Sequence, residues 1–162
     1  MEIIRPDAAT FLDLAGPLLS ENEARHNLIL GLAGTLVRHP EMYPKFHLWV
    51  VRDGTSVAGA ALMTPPHNLV LADQAEEGAL EALLEGVRAD GVVVPGVVGN
   101  LPAVRSFTEA WILATGAVAR VVMSQGVYEL RRIREVPPAR GAARPAGKGD
   151  RDLLEAWLCA FG

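Results

Sequence analysis

This chain has a single cysteine, no glycine-rich phosphate loop, no apolar run approaching the ~20 residues that span a bilayer, and no basic excess. Cys159 alone cannot make an internal disulfide and fits a reducing compartment, so the expected location is the cytoplasm. No charged-then-apolar leader opens the chain, and no membrane partner is expected. The formal charge of −4 is unevenly spread. Residues 1–130 carry 8 Lys/Arg against 15 Asp/Glu, net −7, whereas residues 131–162 carry 7 against 4, net +3. An acidic body lacks the basic face that displaces counterions from phosphates, which argues against nucleic-acid binding.

Chemistry-bearing frames are also missing. Ser56, Ser106 and Ser124 lack the Gly-x-Ser-x-Gly frame of a nucleophile elbow. No two of His26, His39, His47 and His67 stand three or four apart on one helix, and no cysteine accompanies them, so no metal site is expected. Cys159 lies among Leu158, Ala160 and Phe161, a setting that predicts burial rather than reactivity. Arg131, Arg132 and Arg134 read as a solvated charge run.

What is present is a layered pattern. Phe46–Arg52 and Ser56–Thr64 are β-rich runs joined across Asp53-Gly54, the dipeptide of a two-residue hairpin. Phe46, Leu48 and Val50 share one face of the first run and His47, Trp49 and Val51 the other, so both faces are covered and the strand is central. Pro65-Pro66 breaks the ladder before a short strand over His67–Leu71.

Upstream, Asp7 with Thr10 opens a helix to about Leu19, in which Gly16-Pro17 predicts a kink or break. Ser20 with Glu23 reads as a capping box for a helix over Glu21–Arg38, with Leu28, Leu32 and Leu36 inward beside Ile29 and Ala33. Downstream, Asp73 with Glu76 predicts the cap of a helix to about Asp90, and Val92–Val98 a compact strand. Asn100 caps the next helix, with Val104, Phe107, Trp111 and Leu113 inward and Gly116 past its end. Val118–Ile133 returns to period two, interrupted at Gln125-Gly126, and predicts one bulged strand or two strands. The fold class is α/β in the layered α+β sense: a mixed, mostly antiparallel sheet flanked by about four helices.

The domain is expected over residues 1–133. Residues 134–149, rich in proline, glycine and arginine, read as a linker, and residues 150–162 as a helix with Leu153, Leu154, Trp157, Leu158 and Phe161 on one side. Ala143-Arg144-Pro145 before that helix echoes Ile4-Arg5-Pro6 before the first one. Either the helix packs back on the domain, or it starts a second, truncated one.

With its strand-helix-helix opening, the hairpin LWVVRDGTSVAGAALM and the stretch GNLPAVRSFTEAW, the chain resembles the GNAT superfamily of N-acetyltransferases over most of residues 1–133. It is most similar to the degenerate N-terminal half of tandem members, whose second half keeps the acetyl-CoA site. The resemblance implies an acetyl-CoA cofactor for the full protein, an amine acceptor, and a C-terminal GNAT domain or a second copy as partner. It implies no cofactor for this chain. Where family members carry a Gln/Arg-x-x-Gly-x-Gly/Ala loop that cradles pyrophosphate, this chain has LADQAEEG, with Asp73, Glu76 and Glu77 in place of a phosphate site. Asn100 and Ala103 match the family's second motif, but Phe107 stands where a proton-donating Tyr is usual and Trp111 where a Gly is expected. No residue is assigned to catalysis.

The remaining ligand-contact candidates are His67, Asn68 and Asn100. A polar pair in an otherwise apolar sheet either meets a ligand or satisfies a structural hydrogen bond. A cleft near these three residues would serve the alternative function, a stand-alone interaction or small-ligand module with the same fold and no acyl-CoA chemistry.

Overall fold

The computed structural model describes residues 1–135, 137 and 140–161. The chain forms two compact units, Met1–Glu129 and Leu130–Gly162. In the first, β1 (Glu2–Ile4) is followed by α1 (Ala8–Ser20) and α2 (Glu23–Arg38), then β2 (His47–Asp53), β3 (Ser56–Met63) and β4 (Leu69–Leu71), then α3 (Ala79–Ala89), β5 (Val97–Val98) and α4 (Leu101–Thr115). The five strands lie in the order β1-β2-β3-β4-β5. The first three pairings are antiparallel, and β4 with β5 is parallel. This is the expected α+β layer fold, with a mixed and mostly antiparallel sheet and five α-helices among the described residues.

The two-sided strand organises two cores. Leu48 and Val50 of β2, with Ala60 and Leu62 of β3, pack against Phe11, Leu19, Ile29 and Leu36 of α1 and α2. Trp49 and Val51, with Ala61 and Met63, pack on the other side against Leu83, Val87 and Phe107 of α3 and α4. Alternation along β2 thus feeds both layers, as its pattern predicts.

The turn of the hairpin is one residue later than Asp53-Gly54 predicts. Asp53 pairs with Ser56, so Gly54-Thr55 makes the loop, with Gly54 at φ 58 in its first central position. Only glycine takes that conformation without cost, so it selects the register.

Helix boundaries differ from expectation for identifiable reasons. Asp7 caps α1 as expected, accepting from the Thr10 N–H at 2.8 Å, but α1 runs unbroken through Pro17. Pro17 and Asp13, the residue whose carbonyl a helical N–H at position 17 would meet, are both exposed, so the missing bond falls on the solvent side of the helix. Ser20 is consumed as the last residue of α1, so Asn22 caps α2, accepting from the Arg25 N–H at 3.2 Å. The inward face of α2 is His26, Ile29, Ala33 and Leu36, and Leu28 is exposed. Of the expected inward residues, Ile29, Ala33 and Leu36 are buried and Leu32 packs against the first core, so only Leu28 turns outward while His26 turns in.

The predicted Asp73/Glu76 cap does not form. Gly78, at φ 80, precedes α3, and the Asp73 carboxylate is bound elsewhere. Of the predicted strand Val92–Val98 only Val97–Val98 pairs. Pro95 has no N–H to give a ladder, while Val92 and Val94 pack against the second core. On α4, Val104, Phe107 and Trp111 turn toward that core, but Leu113 is 88% exposed. Gly116, at φ 71, ends the helix as expected.

The strand expected over Val118–Ile133 is absent. None of these residues joins the β5 edge or any other strand, and Val118, Val121, Val122 and Val127 are exposed.

In the second unit, Arg144 and Asp150 meet in a two-point ion pair at 2.7 Å, and Asp150 also accepts the Gly147 N–H. These contacts, led by Arg144, hold the Asp150 carboxyl down at about 2. A 3-10 turn at Lys148–Asp150 leads into α5 (Arg151–Phe161). Leu153, Leu154, Trp157 and Phe161 are exposed on this helix, and so is Cys159, contrary to its predicted burial. Of the expected linker, Val136, Pro138 and Ala139 lie outside the described residues, as does Gly162 of the expected helix.

Candidate functional site

The polar centre of the first unit is the segment that leaves β4, Ala72–Gly78. Asp73 stands at the carboxyl end of the parallel β4–β5 pair, where Asn100, two residues past β5, also arrives. The Asn100 Nδ2 donates to Asp73 Oδ1 at 2.9 Å, and the Arg25 Nε donates to Asp73 Oδ2 at 2.7 Å. Asn100 occupies the cap position of α4, yet its side chain is spent on Asp73 and not on the helix.

Behind this pair lies His26, only 4% exposed. Its Nε2 accepts the Asp73 backbone N–H at 3.1 Å, and its Nδ1 lies 2.9 Å from the Leu19 carbonyl. An acceptor at Nε2 and a carbonyl at Nδ1 fix the neutral Nδ1–H tautomer. No lone pair of the ring is left for a base. Asp73 Oδ2 sits 3.6 Å from Nε2, so the carboxylate also approaches the ring.

The backbone of the loop is committed as well. The Ala72 N–H donates to Ala60 O at 3.0 Å and the Ala75 N–H to Ala58 O at 2.8 Å, continuing the β3 edge past β4. With the Asp73 N–H on His26, three amides at the start of the loop point inward. Gln74 folds over β3: its Nε2 donates to Ala72 O at 2.6 Å, and its buried Oε1 has no partner. That oxygen occupies the space a Cβ at Gly59 would need. Glu76 and Glu77 are exposed and add negative charge beside Asp73. A phosphate cradle needs free N–H groups and a positive field. This loop presents neither at its start.

The three ligand-contact candidates from the sequence are not brought together. Asn68 lies at the level of Gly96, at the opening end of β4–β5, and Asn100 at the closing end, about 13 Å away at ~3.3 Å per residue. His67 and Asn68 are exposed, with the His67 ring edge-on to Tyr43 at 6.4 Å. Sequence reasoning missed His26 and Arg25. The available signal was a histidine three residues before Ile29, on the side of α2 that turned out to be inward.

A second polar cluster lies at the other end of the sheet, around an open groove of about 140 Å³ lined by Arg5, Phe46, His47, Trp49 and Asp90. Arg5 Nε donates to Asp90 at 2.8 Å and the Trp49 indole N–H donates to Asp90 Oδ2 at 2.7 Å. His47 stacks on Trp49 at 5.6 Å. The Arg5 hydrogen bond holds the Asp90 carboxyl below the usual carboxylate range, with the Trp49 N–H adding to it and partial burial opposing it. Among the described residues, no three His, Cys, Asp or Glu side chains gather into a metal-holding group. No described helix is long and apolar enough to cross a membrane.

No family model matches the chain, and neither a curated protein nor a solved structure matches it.

Proposed function

We propose that this chain is the non-catalytic, GNAT-like N-terminal part of an acetyl-CoA-dependent N-acetyltransferase of the cytoplasm. The element order β1-α1-α2-β2-β3-β4-α3-β5-α4 supports the resemblance. The observation that carries the non-catalytic assignment is the closed network around Asp73, in the loop where the family binds pyrophosphate. Asp73 is paired with the Arg25 cation and accepts a hydrogen bond from Asn100, His26 has no free nitrogen, and Phe107 is fully buried in the position of the family's proton donor. The role of such a unit is to pack against a cofactor-binding unit and shape its acceptor side.

Calorimetric titration with acetyl-CoA and with CoA, run beside thermal melts, tests this reading, because a ligand of the native state raises its melting temperature. No binding at millimolar ligand is expected. Micromolar binding would overturn the non-catalytic assignment. A reading frame that continues past Gly162 into a Gln/Arg-x-x-Gly-x-Gly/Ala motif is the expected genomic context, and a stop codon there removes the acetyltransferase half of the proposal. A second reading, a stand-alone interaction module, is favoured by the exposed apolar side of α5, where Leu153, Leu154, Trp157 and Phe161 meet solvent.

A further inference from the structure

The first unit contains both halves of an unfinished sheet. One half is an open edge: among the described residues β5 is hydrogen-bonded to β4 on one side only, and Val93, Val98 and Leu101 around it are exposed. Beneath that edge the second core is incompletely covered, since Val97, Val104 and Trp111 pack against it and remain partly accessible. The other half is Val118–Tyr128, a segment of β-forming residues in which Val118, Val121, Val122, Val127 and Tyr128 are all exposed, Val118 by 98%. Within Val118–Tyr128 the only charged residue is Arg120, and proline is absent. A run of this composition without a ladder is a strand donor, and an uncovered edge is a strand acceptor.

We propose that Val118–Tyr128 of one copy adds as a strand along the free edge of β5 in a second copy, and that the second copy returns the same segment, making a two-fold homodimer. Only Ala117 separates the Gly116 cap of α4 from Val118, and Val118–Tyr128 forms no strand with its own sheet. A second copy supplies the identical edge with the identical apolar surround. The body of the chain is acidic, but the segment carries no carboxylate up to Tyr128, so the part that crosses between copies adds no like-charge repulsion. Reciprocal exchange makes every contact twice. Val118–Tyr128, the receiving stretch Val92–Val98 and the outward residues of α4 together engage roughly 20 residues of each copy, the scale of a standard stable interface. The proposal is independent of the acetyltransferase reading.

Sedimentation equilibrium of the intact chain across micromolar concentrations tests it, with hydrogen exchange read at the amides of Val118–Tyr128. A dimer is expected whose segment amides are protected and lose protection on dilution to monomer. Val122→Pro removes a ladder N–H from an exposed position and should weaken dimerisation at least about a hundredfold while leaving the monomer melt unchanged. Trp157→Glu on α5 should leave the dimer intact. A monomer at all concentrations overturns the proposal. So does protection that persists in the monomer, which means the strand closes on its own sheet. Loss of the dimer in Trp157→Glu but not in Val122→Pro also overturns it, because the interface is then α5.

Discussion

His26 Nε2 accepts the backbone N–H of Asp73 at 3.1 Å while its Nδ1–H reaches the Leu19 carbonyl at 2.9 Å, so one buried ring ties α1 and α2 to the loop that follows β4. The Leu19 contact is buried and the Asp73 contact part-buried. His26→Ala leaves a donor and an acceptor without partners and opens a cavity. A loss of about 2–4 kcal/mol is expected by urea unfolding, with the slope of the transition unchanged. His26→Leu should recover packing but not the hydrogen bonds, and so should remain well below the parent protein.

Asp90 joins Arg5 before α1 and Trp49 of β2 to the end of α3. Its carboxyl is held below the ordinary range, chiefly by Arg5. A depressed folded-state value means that the stabilisation is fully present above the unfolded value of about 3.9 and disappears as pH falls through the folded value. Acid titration of stability should therefore be shallower below about pH 4 in Asp90→Asn than in the parent. Near neutrality Asp90→Asn should cost no more than about 1 kcal/mol, since the Arg5 side chain is 45% exposed and water screens the pair. Asp90→Ala should cost about 1–3 kcal/mol, because the buried Trp49 indole then lacks an acceptor. Equal losses for the two variants would show that the indole bond carries no weight.

The layer order and the two-faced strand β2 were legible because both rest on periodicity, which the core obeys. The Asp7 cap and the Gly116 stop were legible because their signals are local. The Asp73 cap was not, although Asp73 and Glu76 have the right spacing. Capping chemistry and a tertiary ion pair compete for one carboxylate, and Arg25, 48 positions away in sequence, wins it. The same competition removed Asn100 from its helix. Val118–Ile133 failed for a different reason: alternation reports the side-chain pattern of a strand, while strand formation requires a neighbouring edge that no local pattern supplies.

Gly59 of β3 faces Gln74, whose amide oxygen fills the place of a Cβ. Gly59→Ala forces Gln74 out of its bond to Ala72 O and should destabilise by about 1–3 kcal/mol. Gln74→Ala removes the obstacle and an unpartnered buried oxygen together. The double variant Gly59→Ala, Gln74→Ala should therefore be more stable than Gly59→Ala alone, a coupling that a thermal-melt cycle reads directly. Additive losses would mean that the two residues do not compete for this space.

The Ala72–Gly78 loop has two independent reasons not to hold a diphosphate, its carboxylates and its committed amides, and the two can be separated. Glu76→Gln with Glu77→Gln removes the exposed charges but leaves the Ala72, Asp73 and Ala75 N–H groups bound to Ala60, His26 and Ala58. If charge alone excluded the cofactor, this double variant would bind acetyl-CoA. Because a cradle depends on N–H groups aimed at the phosphates, calorimetry should instead find no binding at millimolar acetyl-CoA. Adding His26→Leu frees only one amide, at the buried side of the loop, and should not create affinity either. Binding by the Glu76→Gln, Glu77→Gln variant would assign the exclusion to electrostatics, and would place the loop two substitutions from a working cofactor site.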